Sequence, residues 1–280
     1  MTVPDVIIIG AMKCATSTLA AQLGAQDGVF LTQPKEPNFF SDDDVYAKGA
    51  DWYGALFVGA GAGDIKLEAS THYSKRPTYP HTIARLQASG ARPKLIYIVR
   101  DPVDRLVSHY IHEWTQGVIP CGLDEAVQSY PELIEYSLYG KQITPWIDAF
   151  GADAILLLTM EDMTKDPQVV LSRVGVFIGH DNLEWLTTLG RVNVSSERIK
   201  RFPFHRILFD NKIAQILRRT LVPKALRDAL KAKRQMQARP VLSADIRAGL
   251  RDIFAADGRI LTGHFPRETA IEDLYSKRSI

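Results

Sequence analysis

Short hydrophobic runs alternate with amphipathic stretches along the first 180 residues. Three runs have the length and the β-branched or aliphatic composition of buried strands: residues 6–9 (VIII), 94–99 (KLIYIV) and 154–158 (AILLL). Leucines at helical spacing in residues 19–23 follow the first run, and a helical pattern over about 167–178 follows the third. Strands that alternate with helices predict an α/β fold, with a mainly parallel central sheet flanked by helices in three layers.

The polar segments that follow these strands are the first place to look for a site. Open parallel sheets bind ligands beyond the carboxyl ends of their strands. Residues 10–18, Arg100 and the turn at Glu161 each follow a predicted strand, so we expect them to share one edge of the sheet. A single domain is expected over residues 1–280, with helices and irregular chain from about Glu197.

The first of these segments is similar to a phosphate-binding loop. It reads GAMKCATST, and it lacks the usual nucleotide triphosphatase spelling, GxxxxGK[ST]. Backbone amides at a helix N-terminus attract anions, the hydroxyls of Thr16, Ser17 and Thr18 add donors, and Lys13 adds a full charge. The alternative is an ordinary helix N-cap at Thr16 or Ser17 with Lys13 in solvent.

The second segment begins at Arg100 and reads RDPVDRLVSHY. Proline is favoured at the first position of a helix, so a helix is predicted from Pro102, and Ser108 then lies about two turns along it. Arg100 and Ser108 can converge on one phosphate. The alternative is that Arg100 pairs with Asp101 or Asp104. Two anion loops on one edge suit a ligand with a phosphate at each end.

Together the two loops resemble the sulfotransferases that use 3′-phosphoadenosine 5′-phosphosulfate (PAPS), which have a P-loop-like fold. The shared patterns are K-x-x-T-[ST]-x-L after one strand and R-[DN]-P-x-x-R-x-x-S-x-Y after another. The resemblance spans about residues 5–200, with a weaker echo near 240–254. Further stretches match the branch of glycosaminoglycan sulfotransferases and their bacterial relatives in order and spacing: 35–40 (KEPNFF), 48–53 (KGADWY), 68–73 (EASTHY), and 137–143 (SLYGKQI) with Trp146.

The resemblance implies a role for each matching residue. Glu36 takes the position of the general base, and Lys13 lies near the oxygen that bridges phosphate and sulfate. Arg100 and Ser108 hold the 3′-phosphate. The implied reaction moves a sulfuryl group from PAPS to a hydroxyl or amine of a glycan, lipid or small metabolite, and releases 3′,5′-adenosine bisphosphate (PAP) without a metal. The implied contacts of the 5′-phosphosulfate are Lys13, Cys14, Ala15, Thr16, Ser17 and Thr18.

The chain departs from the family pattern at two positions. Ala15 stands where many relatives have glycine, and we expect its methyl group to be tolerated if the backbone there keeps a negative φ. Ala69 stands where eukaryotic enzymes carry a second lysine, and His72 and Lys75 are nearby candidates to replace that charge. His72 is also the second candidate base, because its ordinary pKa of ~6.5 suits the task. A helix N-terminus could lower the pKa of Cys14, which we interpret as a loop residue and not a nucleophile.

Composition excludes disordered and fibrous classes, since 46% of the 280 residues are hydrophobic and 24% are charged. The net charge of +2 is unevenly spread. Residues 198–239 contain thirteen Lys or Arg against two acids, a net of +11, which leaves −9 elsewhere. This basic segment is interpreted as a solvated helix pair, as a wall in which Arg198 and Lys200 close over the nucleotide, or as a surface for a membrane or an anionic acceptor. Nucleic acid is not expected as a partner, because no binding motif is present.

The cysteine count and the hydrophobic runs limit the type of protein and its location. Two cysteines form neither a disulfide framework nor a zinc site. No apolar run reaches the ~20 residues that span a bilayer, and the N-terminus lacks a signal peptide, so a cytoplasmic protein is expected.

Two other functions are alternatives to a sulfotransferase. A nucleoside triphosphate kinase of similar fold is one alternative, although it would need a lysine directly before Ser or Thr in the loop. A non-catalytic module that binds a nucleotide or anion is the other.

Overall fold

The computed structural model describes residues 2–189, 236, 238–266, 268, 271, 274 and 275. The strands of these residues are β1 (Val6–Gly10), β2 (Val29–Leu31), β3 (Ile65–Glu68), β4 (Lys94–Val99) and β5 (Ile155–Thr159). Their α-helices are α1 (Thr16–Gly24), α2 (Asp43–Tyr46), α3 (Gly49–Ala55), α4 (Thr82–Ala88), α5 (Pro102–Gln116), α6 (Leu123–Ser129), α7 (Glu132–Glu135), α8 (Tyr139–Phe150), α9 (Met160–Lys165), α10 (Pro167–Ile178) and α11 (Ala244–His264). Short 3₁₀ turns cover Thr71–Ser74, Ala152–Ala154 and Thr187–Leu189.

The five described strands form one sheet in the order β2-β3-β1-β4-β5, and every neighbouring pair is parallel. The predicted α/β class with a parallel central sheet is therefore confirmed. β1 lies between β3 and β4, which is where the order of strands along the chain changes direction. The loops that leave β1, β3 and β4 consequently meet at one edge, the position at which such sheets bind ligands.

The core explains why the predicted strands are continuous hydrophobic runs without alternation. All five residues of β1 and five of the six in β4 are buried. Burial of one aliphatic side chain contributes about 1.5–3 kcal/mol, and strands covered on both faces bury every residue. The predicted bounds of β4 and α10 agree with the structure, and β5 begins one residue later than predicted.

Helix α5 starts where the proline predicts. The carboxylate of Asp101 accepts a hydrogen bond from the backbone N–H of Asp104 at 2.8 Å and caps the helix, and Pro102 is its first residue. The helix ends at Gly117, whose φ of 79° is left-handed. The cap and the proline at the start of α5 place Arg100 between the end of β4 and Asp101.

The C-terminal helix α11 packs on α8 and supplies its cap. Both carboxylate oxygens of Asp257 accept backbone N–H groups of α8, from Gly140 and Lys141, each at 2.8 Å. A Cβ at Gly140 would lie 2.6 Å from the carbonyl oxygen of Asp257, so the close approach requires glycine there. Among the described residues, no helix is both long and apolar enough to cross a membrane. Arg198, Lys200 and most of the basic segment lie outside the described residues.

Candidate active site

The loop between β1 and α1 is shaped to receive an anion. Lys13 and Ala15 have left-handed φ values of 70° and 60°, and α1 begins directly after them at Thr16. Ala15 is the N-cap; no side chain of the described residues caps the helix, and its first turn contains no acidic residue. The alternative of a side-chain cap at Thr16 or Ser17 is therefore wrong. The positive end of the helix dipole is left for a ligand.

The negative φ that would let Ala15 fit without strain is not present. Ala15 has a φ of 60° and a ψ of 23°, in the left-handed region, directly before the first residue of α1. For a residue with a Cβ this conformation costs roughly 1–2 kcal/mol, and glycine adopts it without that cost.

Ala15→Gly is therefore expected to stabilise the protein by about 0.5–1 kcal/mol, less than the full strain because glycine loses more entropy on folding. Urea denaturation measures the change. Ala20→Gly, inside α1, is the matched control and should lose roughly 1 kcal/mol. Equal or lower stability of Ala15→Gly would contradict the strain at this position.

The two anion loops meet, as expected for one edge of the sheet. Nη1 of Arg100 donates to the carbonyl oxygen of Lys13 at 3.5 Å, and the backbone N–H of Asp101 donates to Glu161 at 3.1 Å. Nη2 of Arg100 pairs with Asp104 at 3.3 Å, so the alternative ion pair is present, formed with Asp104. The Nε of Arg100 is buried and has no hydrogen-bond partner among the described residues. Arg100 thus retains a donor for a further acceptor.

Positive charge is concentrated at this meeting point. Burial and the neighbouring Arg100 charge lower the pKa of Lys13. Lys75 is buried, and burial lowers its pKa to about 8 although Glu36 and Glu113 oppose the shift. An anion that bound here would relieve this repulsion.

Ser108 lies on α5, half-buried, two turns beyond the start of the helix. Arg105 on the same helix is fully buried and has a structural role. Its Nε donates to Ser137 Oγ at 2.6 Å and its Nη2 donates to the carbonyl oxygen of Leu133 at 2.8 Å. These bonds tie α5 to the segment before α8, which explains a serine at the start of the SLYGKQI stretch.

Glu36 is joined to the anion loop through its neighbour Lys35. The ammonium of Lys35 lies 2.6 Å from Oε1 of Glu36 and donates to the Oγ of Ser17 at 3.1 Å. The hydroxyl of Thr71 donates to Oε2 of Glu36 at 3.1 Å. Sequence reasoning missed Lys35; its position directly before a candidate base is the signal that could have found it.

The carboxylate of Glu36 is held ionised. Burial alone would raise its pKa, but the charge of Lys35 and the hydrogen bonds from Lys35 and Thr71 outweigh burial and bring the pKa below its usual range. At neutral pH the group is an anion that can accept a proton.

His72 has a different environment from the one that its ordinary pKa assumes. Its ring stacks on Tyr79, with centroids 4.4 Å apart and planes 13° apart. Burial, and then the charge of Lys75, lower its pKa to about 4, so the imidazole is neutral at neutral pH and a weaker base than the ordinary value suggests. Its role as a base stays a prediction.

Cys14 is fully buried, and its Sγ lies 3.7 Å from Oη of Tyr139. Burial raises the pKa of its thiol to about 11, outweighing the nearby positive charge of Arg100. The expectation that the helix N-terminus lowers this pKa is therefore wrong. A neutral thiol packed in the core agrees with a loop residue and not with a nucleophile.

The contacts at this edge join an ionised carboxylate to the start of α1. Lys35 pairs with Glu36 and donates to the Oγ of Ser17, while Thr16 and Thr18 are buried. The described residues contain no cluster of three or more His, Cys, Asp or Glu side chains with the geometry of a metal site.

Comparison with known proteins gives a consistent result. The profile of the sulfotransferase domain matches residues 3–222. Over 188 residues, 63% of this chain, the sequence is 32% identical to the mouse (Mus musculus) heparan sulfate glucosamine 3-O-sulfotransferase 3B1. Over 200 residues it is 29% identical to the bifunctional heparan sulfate N-deacetylase/N-sulfotransferase 1 of Xenopus laevis. The chain spans 46% of the first relative and 22% of the second.

The fold also has a solved counterpart. A sulfotransferase from Alicyclobacillus acidocaldarius superposes with a TM-score of 0.66 over 94% of this chain and 96% of that one, at 22% identity. This likeness concerns the fold, and it confirms the predicted P-loop-like architecture. The profile match covers well over half of the chain, and the chain therefore belongs to the sulfotransferase domain family.

Proposed function

We propose that this protein transfers a sulfuryl group from PAPS to a hydroxyl or amine. The observation that carries the proposal is the meeting of two anion loops, with Nη1 of Arg100 3.5 Å from the carbonyl oxygen of Lys13, beside an ionised Glu36. Two cationic loops on one edge suit a nucleotide with anionic groups at both its 3′ and 5′ positions.

The residues present fit such a donor. The uncapped N-terminus of α1 and the Lys13 ammonium suit the 5′-phosphosulfate, and the remaining residues of the loop would line it: Cys14, Ala15, Thr16, Ser17 and Thr18. The buried Nε of Arg100, unpartnered within the described chain, suits the 3′-phosphate, with Ser108 as a second contact. Arg198 and Lys200 remain predicted nucleotide contacts that lie outside the described residues.

The proposed reaction needs one proton acceptor and one site of negative charge stabilisation. The acceptor oxygen or nitrogen forms a bond to sulfur, and the bond between sulfur and the bridging oxygen breaks, which releases PAP. Glu36 takes the proton that the acceptor loses. Lys13 and the amides of α1 stabilise the charge that develops on the departing 5′-phosphate, and their fixed positions require no reorganisation.

The acceptor class is proposed from the names of the relatives and from the charge of the basic segment. The two named relatives carry heparan sulfate in their names, so glucosamine-containing glycans are the first acceptors to test, before lipids and small metabolites. The net charge of +11 over residues 198–239 would suit an anionic acceptor or a membrane surface. One domain over residues 1–280 and a cytoplasmic location belong to the same proposal.

Calorimetry with PAP, 5′-AMP and ATP tests the donor. We expect PAP to bind at least about tenfold more tightly than 5′-AMP, which lacks only the 3′-phosphate, since a charge-assisted contact contributes about 1.5–3 kcal/mol. Tight ATP binding without PAP binding would contradict the proposal and favour a kinase. Transfer of radioactive sulfate from PAPS is then measured on a panel of glycans, lipids and small hydroxyl or amine compounds. PAP binding without transfer to any of them would favour a non-catalytic module.

A further inference from the structure

We propose that Lys35 is a second donor-binding cation, whose ammonium exchanges the Glu36 carboxylate for oxygens at the 5′ end of the donor when the nucleotide binds. This inference rests on the proposed function. It adds a residue that links occupancy of the donor site to the freedom of the base.

The ammonium of Lys35 already lies within the anion loop. Its Nζ is 3.1 Å from the Oγ of Ser17, which is in the first turn of α1, and 2.6 Å from Oε1 of Glu36. An ammonium carries three N–H donors. The contacts within the described residues use two of them, so one remains for a ligand oxygen even before the ion pair opens.

The ion pair between Lys35 and Glu36 is placed to exchange. Its side chains are 23% and 31% exposed, so water and ligands reach both partners. The 5′-phosphosulfate carries negative charge on both its phosphate and its sulfate and offers more acceptor oxygens than one carboxylate, so a cation prefers it. Ser17 would hold the ammonium near the loop while its carboxylate partner is replaced.

Position 69 lies next to Lys35 and contributes no charge to this edge of the sheet. Ala69 follows the last residue of β3, is fully buried, and donates its backbone N–H to the carbonyl oxygen of Lys35 at 3.1 Å. Positions 35 and 69 are thus direct neighbours, and the methyl group at 69 supplies no charge. Lys35 reaches the anion loop from the adjacent strand end.

The two other candidate replacements are held by different contacts. His72 stacks on Tyr79 and is neutral at neutral pH. The Nζ of Lys75 lies 5.9 Å from the ring centroid of Tyr136. Of these three side chains, Lys35 is the one with a direct hydrogen bond to the anion loop in the described structure.

The exchange would also change the base. While Lys35 is paired with Glu36, its charge and hydrogen bond are the main opposition to burial, and they hold the pKa of the carboxyl down. Departure of the ammonium toward the donor removes this stabilisation of the anion. Glu36 then becomes a stronger proton acceptor when a donor is present.

Calorimetry of Lys35→Met with trimmed nucleotides tests the contact without an acceptor. We expect PAP affinity to fall about tenfold, which corresponds to the loss of one exposed charge-assisted contact. Adenosine 3′-monophosphate lacks the 5′-phosphate, and its affinity should change less than about twofold. Lys66→Met is the matched control, because Lys66 pairs with Asp5 before the start of β1, and it should leave both affinities unchanged. Unchanged PAP affinity in Lys35→Met would overturn the inference.

A double variant separates two explanations for a loss of affinity. Lys35 could contact the nucleotide directly, or it could only neutralise Glu36, whose charge would otherwise repel the nucleotide. If Lys35 touches the 5′ end, Lys35→Met still weakens PAP binding in a Glu36→Gln background. Full recovery in the Lys35→Met/Glu36→Gln double variant would assign the loss to Glu36 and overturn the contact. Absence of PAP binding by the unaltered protein would instead reject the proposed function, so the two failures are distinguishable.

Discussion

Glu36→Gln should lower the rate of sulfuryl transfer by about 10²–10⁴-fold, the usual contribution of a positioned general base. The amide retains the size of the side chain and its bond from Thr71, but it cannot take the proton of the acceptor. Nucleotide affinity should stay the same or rise, because Lys35 no longer has to break an ion pair with Glu36 before it contacts the nucleotide. Steady-state transfer from PAPS and calorimetry with PAP measure the two quantities.

The pH dependence of the same rate provides a further readout. A base must be deprotonated to act, and the pKa of Glu36 in the free protein lies below its usual range. The kcat/KM for transfer should therefore stay level from neutral pH down to the ordinary glutamate pKa of ~4.3 and fall only below it.

A carboxylate outside the site provides the control for Glu36→Gln. Glu125 is an exposed carboxylate in the first turn of α6, and Glu125→Gln should leave the rate unchanged. If Glu36→Gln keeps the full rate while His72→Ala loses it, the base is His72, and the assignment of Glu36 is wrong.

Arg100→Ala and Lys13→Ala should divide the nucleotide between its two ends. Arg100→Ala is expected to weaken PAP by about 10–150-fold, the equivalent of 1.5–3 kcal/mol, and to leave 5′-AMP unchanged. Lys13→Ala should weaken PAP and 5′-AMP to a similar extent and leave adenosine 3′-monophosphate unchanged. Calorimetry with the three nucleotides gives all six comparisons.

The fold should tolerate both substitutions. Asp104, the acidic partner of Arg100, also pairs with Arg239 at 2.7 Å and keeps a cation when Arg100 is removed. Thermal denaturation of each variant should therefore resemble that of the unaltered protein. Equal losses for all three nucleotides in both variants would contradict the two-ended arrangement.

Local patterns were sufficient for the framework of the sheet. The continuous hydrophobic runs predicted β1, β4 and β5 within one residue at the bounds that the sequence proposed, and Pro102 predicted the start of α5. These features depend on neighbours within a few positions along the chain. The hydrophobic run of a buried strand and the preference for proline at the start of a helix are visible over that distance, so the pattern predicts these elements.

Local patterns did not predict the backbone conformation of Ala15 or the effect of burial on Cys14 and His72. Ala15 adopts a left-handed φ of 60°, which no residue pattern around it predicts for an alanine. The pKa values of Cys14 and His72 are shifted mainly by burial, which tertiary packing decides; Tyr139, for example, lies beside Cys14 from a distant segment of the chain. In each case a reasonable expectation from the ordinary pKa or from a helix terminus was reversed or altered by burial.

The sequence by itself determined that two loops with residues suited to anions follow two predicted strands, because residue types and the succession of elements are read directly along the chain. The tertiary structure alone decided that Lys35 bridges Glu36 and Ser17 and that Ala69 lies beside Lys35. These contacts join the ends of β2 and β3 to the start of α1, across 18 and 34 positions of the chain. Their reach depends on strand order and register, which bring distant residues to one edge, and distance at that edge then sets the charge that each group experiences.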